Sequence, residues 1–406
     1  MNKPELLAPA GNLEKLYMAV RFGADAVYLG GKAFGLRAGA GNFSFSDMAE
    51  GIKFAHNHGV KVYVTVNIFA HNEDLEELSE YLLTLKDLDA DGIIVSDPGI
   101  FRLAKETVPD LPIHISTQAN NTNWSSAIFW QEMGAKRIVL ARELSLKEIG
   151  EIHHRSKIEL EVFVHGAMCI SYSGRCLLSN YLAGRNANKG DCAHPCRWNY
   201  SLVEEKRPGE YFPVVEDERG TYVFNSKDLC LVEHIPDLIQ AGVSSFKIEG
   251  RMKSSYYLAT VVKVYREVID HYFADPENFS FDPKWLEELK KVSHRHYTTG
   301  FALKKPDQND HRYDTSSYVR SYDFTGIVLE YLSETGEMVV EQRNHMSVGE
   351  KIEILPPKGT FISWEITSMK NDQGEKIDHA PHPRQKVFMP APKGGVIPYS
   401  IIRRPQ

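Results

Sequence analysis

Cysteines are the residues of this chain whose spacing most restricts its chemistry. Four of the five fall within twenty-eight residues, in the pattern C-x6-C-x15-C-x3-C formed by Cys169, Cys176, Cys192 and Cys196, and Cys230 follows 34 positions later. Thiols grouped in this way in an intracellular protein usually bind a metal or carry out redox chemistry. The sequence therefore predicts a metal or redox centre in this segment.

Three kinds of centre are compatible with this pattern. A structural zinc site with four cysteine ligands typically contains two close pairs, and C-x6-C is wide for one of them. A catalytic thiol needs one cysteine with a histidine base, and four thiols exceed that need. A 4Fe–4S cluster tolerates more varied spacing, so the pattern favours iron–sulfur, with zinc as the lesser alternative and redox thiols third. Cys230 leaves the ligand set ambiguous, since it could replace Cys192 or Cys196.

Composition places the chain among ordinary soluble globular proteins. It has 406 residues, 42% of them hydrophobic and 25% charged, with a net charge of −7. This charge excludes an overall basic field of the kind that attracts nucleic acid, although a local basic patch remains compatible with it. The N-terminus shows no apolar signal core, and no segment approaches the ~20 apolar residues of a membrane span. We therefore expect a cytoplasmic, reduced protein, in which disulfides are the weaker explanation of the cysteines.

Strand and helix patterns alternate over the first two-thirds of the chain. Short apolar segments separated by helices need parallel crossover connections, and eight such units can close on themselves. The sequence predicts a (β/α)8 TIM-like barrel, and an open doubly wound sheet is the alternative. No Gly-x-Gly-x-x-Gly follows the first strand, so a dinucleotide-binding fold has little support. The predicted strands are 5–11, 26–30, 61–67, 92–97, 112–117, 137–142, 159–165 and 245–249.

The domain organisation follows from changes in pattern along the chain. The barrel is expected over residues 1–275, with a cysteine-rich insertion after strand seven at about 166–224. A polar linker covers 276–320, and residues 321–406 show short alternating strands with Pro and Gly punctuation, typical of a small antiparallel β-barrel. Its predicted strands are 326–330, 338–341, 351–355, 361–366 and 385–389.

Polar side chains stand at the predicted C-terminal ends of the barrel strands, the face that carries the active site in this architecture. We predict catalytic roles for His165, Glu249 and Asp97, because these groups can exchange protons. Three arginines among the remaining groups favour a small anionic or oxygen-rich substrate. The predicted substrate-binding residues are Arg37, Asn67, Gln118, Asn120, Arg142 and Arg251.

Each of these residues also has a purely structural interpretation. Asp97 could cap the helix that begins at Pro98. His165 is equally compatible with a hydrogen-bonded structural histidine. Glu249 and Arg251 could form an ion pair that closes the barrel rim.

Several motifs of the chain resemble one known family. The segment EVFVHGAMC, which ends at Cys169, and the C-x6-C spacing to Cys176 are similar to the signature of the collagenase-like peptidase family, peptidase family U32. Further blocks match at 6–11, 24–28, 96–99, 142–145, 225–229 and 247–253. The resemblance runs nearly end to end and is closest to the branch implicated in tRNA hydroxylation, which makes 5-hydroxyuridine at the wobble position.

This resemblance implies a cofactor, a co-substrate and a partner. It implies a 4Fe–4S cluster in which Cys169 and Cys176 match ligand positions, while the other two ligands correspond to Cys192 with either Cys196 or Cys230. It also implies prephenate as the source of the hydroxyl group, and tRNA as a partner. A related paralogue as a heteromeric partner is a further expectation.

Two other functions remain open from the sequence. A collagenase-like peptidase is the named alternative, but no Ser or Thr nucleophile with an evident base and no His-Glu-x-x-His motif is found. A non-catalytic RNA-binding or assembly factor with a structural metal is the second. If RNA binds, we expect the C-terminal domain and the polar linker to provide the basic surface. The candidates are Arg295, Lys304, Lys305, Arg312, Arg320, Lys358, Lys370, Arg384, Lys386, Arg403 and Arg404, with His294, Tyr297, His311 and Tyr313 as rings for base stacking.

Overall fold

A computed structural model describes residues 2–35, 42–168, 178–183, 185, 193, 201–202, 212–213, 225–304, 311–312 and 319–406. The strands before residue 320 are β1 (Glu5–Pro9), β2 (Ala26–Gly30), β3 (Lys61–Val66), β4 (Gly92–Val95), β5 (Ile113–Ile115), β6 (Arg137–Val139), β7 (Glu159–Ala167), β8 (Ser201–Leu202), β9 (Phe212–Pro213), β10 (Asn225–Ser226), β11 (Asp228–Cys230), β12 (Ser245–Ile248), β13 (Tyr297–Thr298) and β14 (His311–Arg312).

Eight parallel strands within these ranges close into a barrel, which confirms the predicted fold class. Strands β1 to β7 pair in chain order, and β12 pairs with both β7 and β1 to complete the ring. Beyond the ring, β11 pairs antiparallel with the end of β7, and β13 pairs with β11. These two short strands extend the sheet next to the point where the chain enters the cysteine-rich segment.

Helices follow the barrel strands and pack around them. They are α1 (Leu13–Arg21), α2 (Phe45–His56), α3 (Asn72–Leu75), α4 (Leu78–Asp87), α5 (Pro98–Thr107), α6 (Trp124–Glu132), α7 (Leu146–Arg155), α8 (Leu178–Ala183), α9 (Ile235–Gln240), α10 (Ser255–Ala274) and α11 (Pro283–Leu289). The side chains of Asn12, Ser44, Asp97 and Ser145 accept backbone N–H groups at the starts of α1, α2, α5 and α7. The connection between β3 and β4 contains two helices, α3 and α4. No helix of the described ranges combines the length and apolar character that a membrane crossing requires.

The barrel interior near the N-terminal ends of the strands holds a network of charged side chains. The guanidinium of Arg137 lies 2.5 Å from Glu5 and 3.1 Å from Glu161, and Lys247 Nζ lies 2.8 Å from the other oxygen of Glu161. Glu161 is fully buried. Burial opposes its ionisation, but Lys247 and Arg137 outweigh that cost and hold its pKa at about 2. The network stabilises the barrel floor only as long as every charge keeps its partner.

The C-terminal domain is an eight-stranded antiparallel sheet that curls around its own core. Within residues 319–406, which are fully described, the order is β19-β18-β24-β15-β16-β23-β20-β21. The strands are β15 (Tyr322–Leu332), β16 (Glu337–Gln342), β17 (Met346–Ser347), β18 (Lys351–Leu355), β19 (Ile362–Glu365), β20 (Met369–Lys370), β21 (Lys376–Ile377), β22 (His379–Ala380), β23 (Lys386–Pro390) and β24 (Ile401–Pro405). Strand β24 was not predicted, yet it pairs with both β15 and β18.

One buried arginine of β24 joins this sheet to the barrel domain. Arg403 is 0% exposed and donates to Glu288 of α11 at 3.0 Å and to Glu353 of β18 at 2.8 Å. Lys291 Nζ lies 3.3 Å and 3.1 Å from the same two carboxylates. The guanidinium also lies 5.3 Å from the ring centroid of Tyr322. This cluster, named the Arg403 clamp below, fixes the C-terminal sheet against α11.

Candidate functional site at the barrel mouth

A hydrogen-bonded group of polar side chains ties together the C-terminal ends of three neighbouring strands. Gln118 lies in the turn after β5, and its Oε1 accepts hydrogen bonds from Asn67 Nδ2 after β3 at 2.8 Å and from Ser96 Oγ after β4 at 3.1 Å. Ser116 Oγ approaches the same oxygen at 3.4 Å. The structure therefore brings together Asn67 and Gln118, two of the predicted substrate-binding residues, on the expected face of the barrel.

Arg142 follows β6 on the same face and is held by three different contacts. Its Nη1 donates to the carbonyl of Ala167 at 2.5 Å, and its guanidinium lies 3.8 Å from the centroid of the Phe163 ring. Nη2 lies 4.0 Å from the carboxylate of Glu249 at the end of β12. Nε is buried without a hydrogen-bond partner, a costly state that a ligand oxygen or an ordered water would relieve. Arg142 and Glu249, which were both predicted as site residues, thus lie side by side at the mouth.

Arg251 lies at the rim and is 4% exposed. Its Nη2 donates to Asn42 Oδ1 at 2.6 Å, and its carbonyl accepts from Lys15 Nζ at 3.0 Å. Gly30 makes room for the guanidinium, because a Cβ at that position would lie 2.3 Å from Arg251 Nη2. The pairing of Glu249 with Arg251 stays a prediction, and Arg142 is a charged neighbour of Glu249 at 4.0 Å. Arg37 lies outside the described residues.

The loops after β4 and β5 hold the next predicted residues. Asp97 Oδ1 accepts the N–H groups of Gly99 and Ile100 at 2.7 Å and 3.0 Å, so it caps α5 as in its structural interpretation. Asn120 takes a left-handed backbone conformation, φ 55°, and its buried Oδ1 has no partner. A catalytic role of Asp97 and a substrate-binding role of Asn120 stay predictions.

A register shift in β7 turns His165 away from the barrel interior. Lys247 pairs with Phe163, but Ile248 pairs with His165, so one residue of β7 is skipped. His165 is 1% exposed, its ring centroid lies 5.5 Å from that of Tyr265 of α10, and Tyr265 Oη lies 3.3 Å from Nδ1. Burial lowers the pKa of His165 to about 3, so the imidazole is neutral. Its environment therefore matches the structural interpretation, while catalysis by His165 remains a prediction.

Cys230 is the one predicted metal ligand within the described residues; Cys169, Cys176, Cys192 and Cys196 lie outside them. It is opposite His165 in the β7–β11 pairing, beside the strand that leads to Cys169. Its thiol is 8% exposed, lies 4.0 Å from Tyr265 Oη, and has its pKa raised to about 12 by burial. A metal ion would supply the positive charge that a buried thiolate lacks. No metal-binding group of three or more His, Cys, Asp or Glu side chains occurs in the described part of the chain.

Sequence reasoning missed two features of this region. Lys247 and Glu161 form a buried ion pair inside the barrel, and the signal for them was the alternation of charged and apolar residues along β7 and β12. Asn121 was also missed. It is 1% exposed, and neither its amide oxygen nor its amide nitrogen has a hydrogen-bond partner. Burial also raises the pKa of Glu143, next to Arg142, above its usual value.

The structure changes the expected basic surface of the C-terminal domain and linker. Arg403 is buried in its clamp, Arg295 is 3% exposed, and Arg404 is paired with Asp323 and Glu350 at 3.0 Å and 2.7 Å. Assigning Arg403 and Arg295 to an RNA-facing surface was wrong, because both side chains are buried. The His294 and Tyr297 rings stack on each other at 4.8 Å. Lys305, Tyr313 and the side chains of His311 and Arg312 are outside the described residues. The exposed candidates that remain are Lys304, Arg320, Lys358, Arg384 and Lys386.

Comparison with known proteins gives consistent matches over the whole chain. The family model for peptidase family U32 matches residues 11–312, and the model of that family's C-terminal domain matches residues 320–403. The chain is 44% identical to tRNA hydroxylation protein P1 of Bacillus subtilis over 99% of this chain and 95% of that protein. It is 39% identical to tRNA hydroxylation protein P of Escherichia coli over 100% of this chain and 97% of that protein.

A third relative is named for a different RNA. The chain is 40% identical to a 23S rRNA 5-hydroxycytidine synthase of Escherichia coli, over 98% of this chain and 59% of that protein. The relatives that are about 40% identical to this chain are therefore named for two kinds of RNA, tRNA and 23S rRNA.

Proposed function

The chain belongs to peptidase family U32, and from this membership we propose that it acts in tRNA hydroxylation, as the enzyme that forms 5-hydroxyuridine at the wobble position. The observation that carries the proposal is the similarity, over nearly the full length, to proteins named for tRNA hydroxylation in two bacteria. A polar site at the C-terminal ends of the barrel strands, where this architecture carries its chemistry, supports it.

Within this proposal the arginines of the mouth hold an anionic co-substrate, for which prephenate is our candidate. Arg142 is rigid, since Phe163, Ala167 and Glu249 all contact it. A rigid guanidinium loses little freedom when it binds a carboxylate, and two parallel N–H groups suit the two carboxylate oxygens. Arg251 and Arg37 complete the anion site in this proposal. The acid–base partners proposed are Glu249 and Asp97, with His165 as the third candidate.

The proposal includes a 4Fe–4S cluster on the cysteine-rich segment. Its ligands would be Cys169 and Cys176 with two of Cys192, Cys196 and Cys230, and when bound it would supply one-electron chemistry. The donor set fits such a group, because a buried thiol at Cys230 stands beside the strand that leads into the other four. Anaerobic purification with iron and sulfide analysis tests it. Four irons per chain in a coloured protein are expected, and one zinc per chain in a colourless protein would overturn it.

The tRNA partner is proposed to contact exposed basic residues of the C-terminal sheet and linker, such as Lys358 and Lys386. Because the Arg403 clamp fixes this sheet to the barrel domain, such a surface would keep a constant position relative to the mouth. A related paralogue as a heteromeric partner remains part of the proposal. Co-purification of a tagged chain from its own cells, followed by identification of bound proteins, tests that part.

A gene deletion tests the function itself. Nucleosides from total tRNA of the deletion strain are measured by mass spectrometry, together with those of strains carrying any paralogue deletion and the double deletion. Loss of 5-hydroxyuridine and its derivatives, restored by the wild-type gene but not by an Arg142→Lys gene expressed at the same level, is the expected result. Unchanged levels in the double deletion would refute the proposal.

The peptidase alternative receives no support from the described residues. Cys230 is their one thiol, and it is 8% exposed with a pKa raised to about 12 by burial, the opposite of an activated nucleophile. Incubation of the purified protein with gelatin and with unstructured peptides tests this alternative directly.

A further inference from the structure

We propose that the side chain of Gln118 can donate a hydrogen bond to a ligand at the barrel mouth but cannot accept one from it. Gln118 would therefore select a ligand oxygen over a ligand N–H group. This inference rests on the proposed function, because it takes the mouth as the substrate site. It goes further in assigning a direction to one hydrogen bond, which determines the chemical class of the atom that Gln118 meets.

The direction follows from the contacts of the carboxamide oxygen. Asn67 Nδ2, Ser96 Oγ and Ser116 Oγ converge on Gln118 Oε1 at 2.8 Å, 3.1 Å and 3.4 Å. These three groups all carry hydrogens that they can donate, and a carboxamide oxygen accepts through two lone pairs. The oxygen end of Gln118 is therefore occupied from three sides, by the loops after β3, β4 and β5.

The nitrogen end is left to point elsewhere. No described residue provides an acceptor for Gln118 Nε2, whereas Oε1 accepts the hydrogen bonds of this group. Gln118 as a whole is 6% exposed, and Nε2 is not one of its fully buried atoms. The exposed remnant of Gln118 therefore includes its amide nitrogen, and two N–H bonds are available to a ligand.

Rotation of the carboxamide by half a turn would not serve as well. The hydrogens of Nε2 would then face those of Asn67 Nδ2 across 2.8 Å. Two donors that face each other lose a hydrogen bond and repel, so the orientation of Asn67, with Nδ2 towards Gln118, sets the orientation of the Gln118 carboxamide. A carboxamide can normally present either its oxygen or its nitrogen to a ligand. Here the oxygen is already occupied before the ligand arrives, so the nitrogen remains.

A fixed donor pairs with an acceptor oxygen and opposes another donor. Two ligands of the proposed reaction carry such an oxygen: the carboxylate of a small anion, and O4 of uracil. Cytosine carries an amino group where uracil carries O4, so a donor at this place would favour uridine over cytidine. Both ligands share the chemistry of an sp² oxygen, and the experiment separates them.

The decisive variant is Gln118→Glu, which keeps the shape and keeps an oxygen for the three converging donors but replaces the outward N–H groups by a carboxylate oxygen. Those three donors favour the ionised form. Gln373→Glu is the matched control, because it makes the same charge change in an exposed turn of the C-terminal sheet. Thermal unfolding of both variants checks the fold. If Gln118→Glu does not fold, Ser116→Ala takes its place as the milder change, since it removes one of the three donors that hold Oε1.

Binding is measured by calorimetry with three probes: prephenate, an anticodon stem-loop RNA with uridine at the wobble position, and the same RNA with 2-pyrimidinone, which lacks O4. For a carboxylate ligand, Gln118→Glu weakens prephenate binding by about tenfold to a hundredfold and leaves both RNAs unchanged. For a base ligand, it weakens the uridine RNA by a similar factor and leaves the 2-pyrimidinone RNA unchanged. With Ser116→Ala, the same probe weakens by a few-fold.

Three results would overturn the inference: unchanged binding of all probes by the Gln118 or Ser116 variant, an equal loss for Gln373→Glu, or no binding of any probe by the wild-type protein. The measurement is of binding alone, so it does not depend on turnover. Loss of hydroxylation with normal binding by Gln118→Glu would refute this role of Gln118 and leave the proposed function intact, whereas unchanged tRNA nucleosides in the deletion strains would refute the proposed function itself.

Discussion

Replacement of Arg403 by glutamine should destabilise the protein without changing its affinity for RNA. Sequence reasoning grouped this arginine with a basic surface, but it is 0% exposed and pairs with Glu288 and Glu353. Burial opposes the ionisation of Glu288, yet Arg403 and Lys291 outweigh it and hold its pKa below the usual value. Loss of Arg403 therefore leaves two largely buried carboxylates that share one lysine.

The size of the effect follows from those contacts. Removal of one partner of a buried ion pair costs ~3–5 kcal/mol. Glu288 and Glu353 keep 16% and 13% exposure, and Lys291 remains 3.3 Å and 3.1 Å away, which places the expected loss at the lower end. For a chain of this length the entropy of unfolding is ~0.9 kcal/mol per kelvin, so a loss of ~3 kcal/mol lowers Tm by about 3–4 °C if the chain unfolds as one unit.

Calorimetric melting compares Arg403→Gln with Arg320→Gln, which removes the same charge from an exposed linker position. The control should shift Tm by less than about 1 °C, since surface substitutions rarely change stability by more than ~0.5 kcal/mol. Binding of tRNA is measured over a series of salt concentrations for both. If Arg403→Gln has the same Tm as the wild type, the Arg403 clamp does not stabilise the protein. If the salt slope of tRNA binding falls by about one for this variant alone, Arg403 contacts RNA.

Three further predictions concern the mouth, the barrel floor and the RNA surface. Arg142→Lys should weaken prephenate binding by about tenfold and leave Tm unchanged, because lysine loses the planar pair of donors. A variant with a lower Tm as well would show that Arg142 acts in folding instead. The pKa of Glu161 is lower in the folded chain, about 2, than the ordinary ~4.3, so the stability that it contributes is present above about pH 4.3 and lost as pH falls towards 2; urea unfolding at pH 5, 4 and 3 should show a decline that Glu161→Gln flattens. Charge removal at Lys358, Arg384 and Lys386 together should reduce the salt slope of tRNA binding by up to about three, and an unchanged slope would place the RNA elsewhere.

Local signals in the sequence determined most of the fold. Apolar periodicity identified the eight barrel strands in their correct order, because a half-buried helix and a buried strand must place their apolar residues at different spacings. The cap at Asp97 could be predicted for the same reason, since a cap bonds backbone groups only two or three residues away. The strand-end rule then selected Asn67, Gln118 and Arg142, which the structure does place on the expected face of the barrel.

The tertiary structure decided which way individual side chains face and which charges meet. One skipped residue in β7 moves His165 from the mouth to the outer side of the barrel, and the sequence of β7 does not predict this register shift. Arg403 reads as a surface charge because its partner Glu288 is 115 positions away, so only the packing of the sheet on α11 brings the two together. The sequence also named Gln118 as a polar residue at a strand end. Its direction as a donor depends on three groups from three loops, which meet only when the barrel closes.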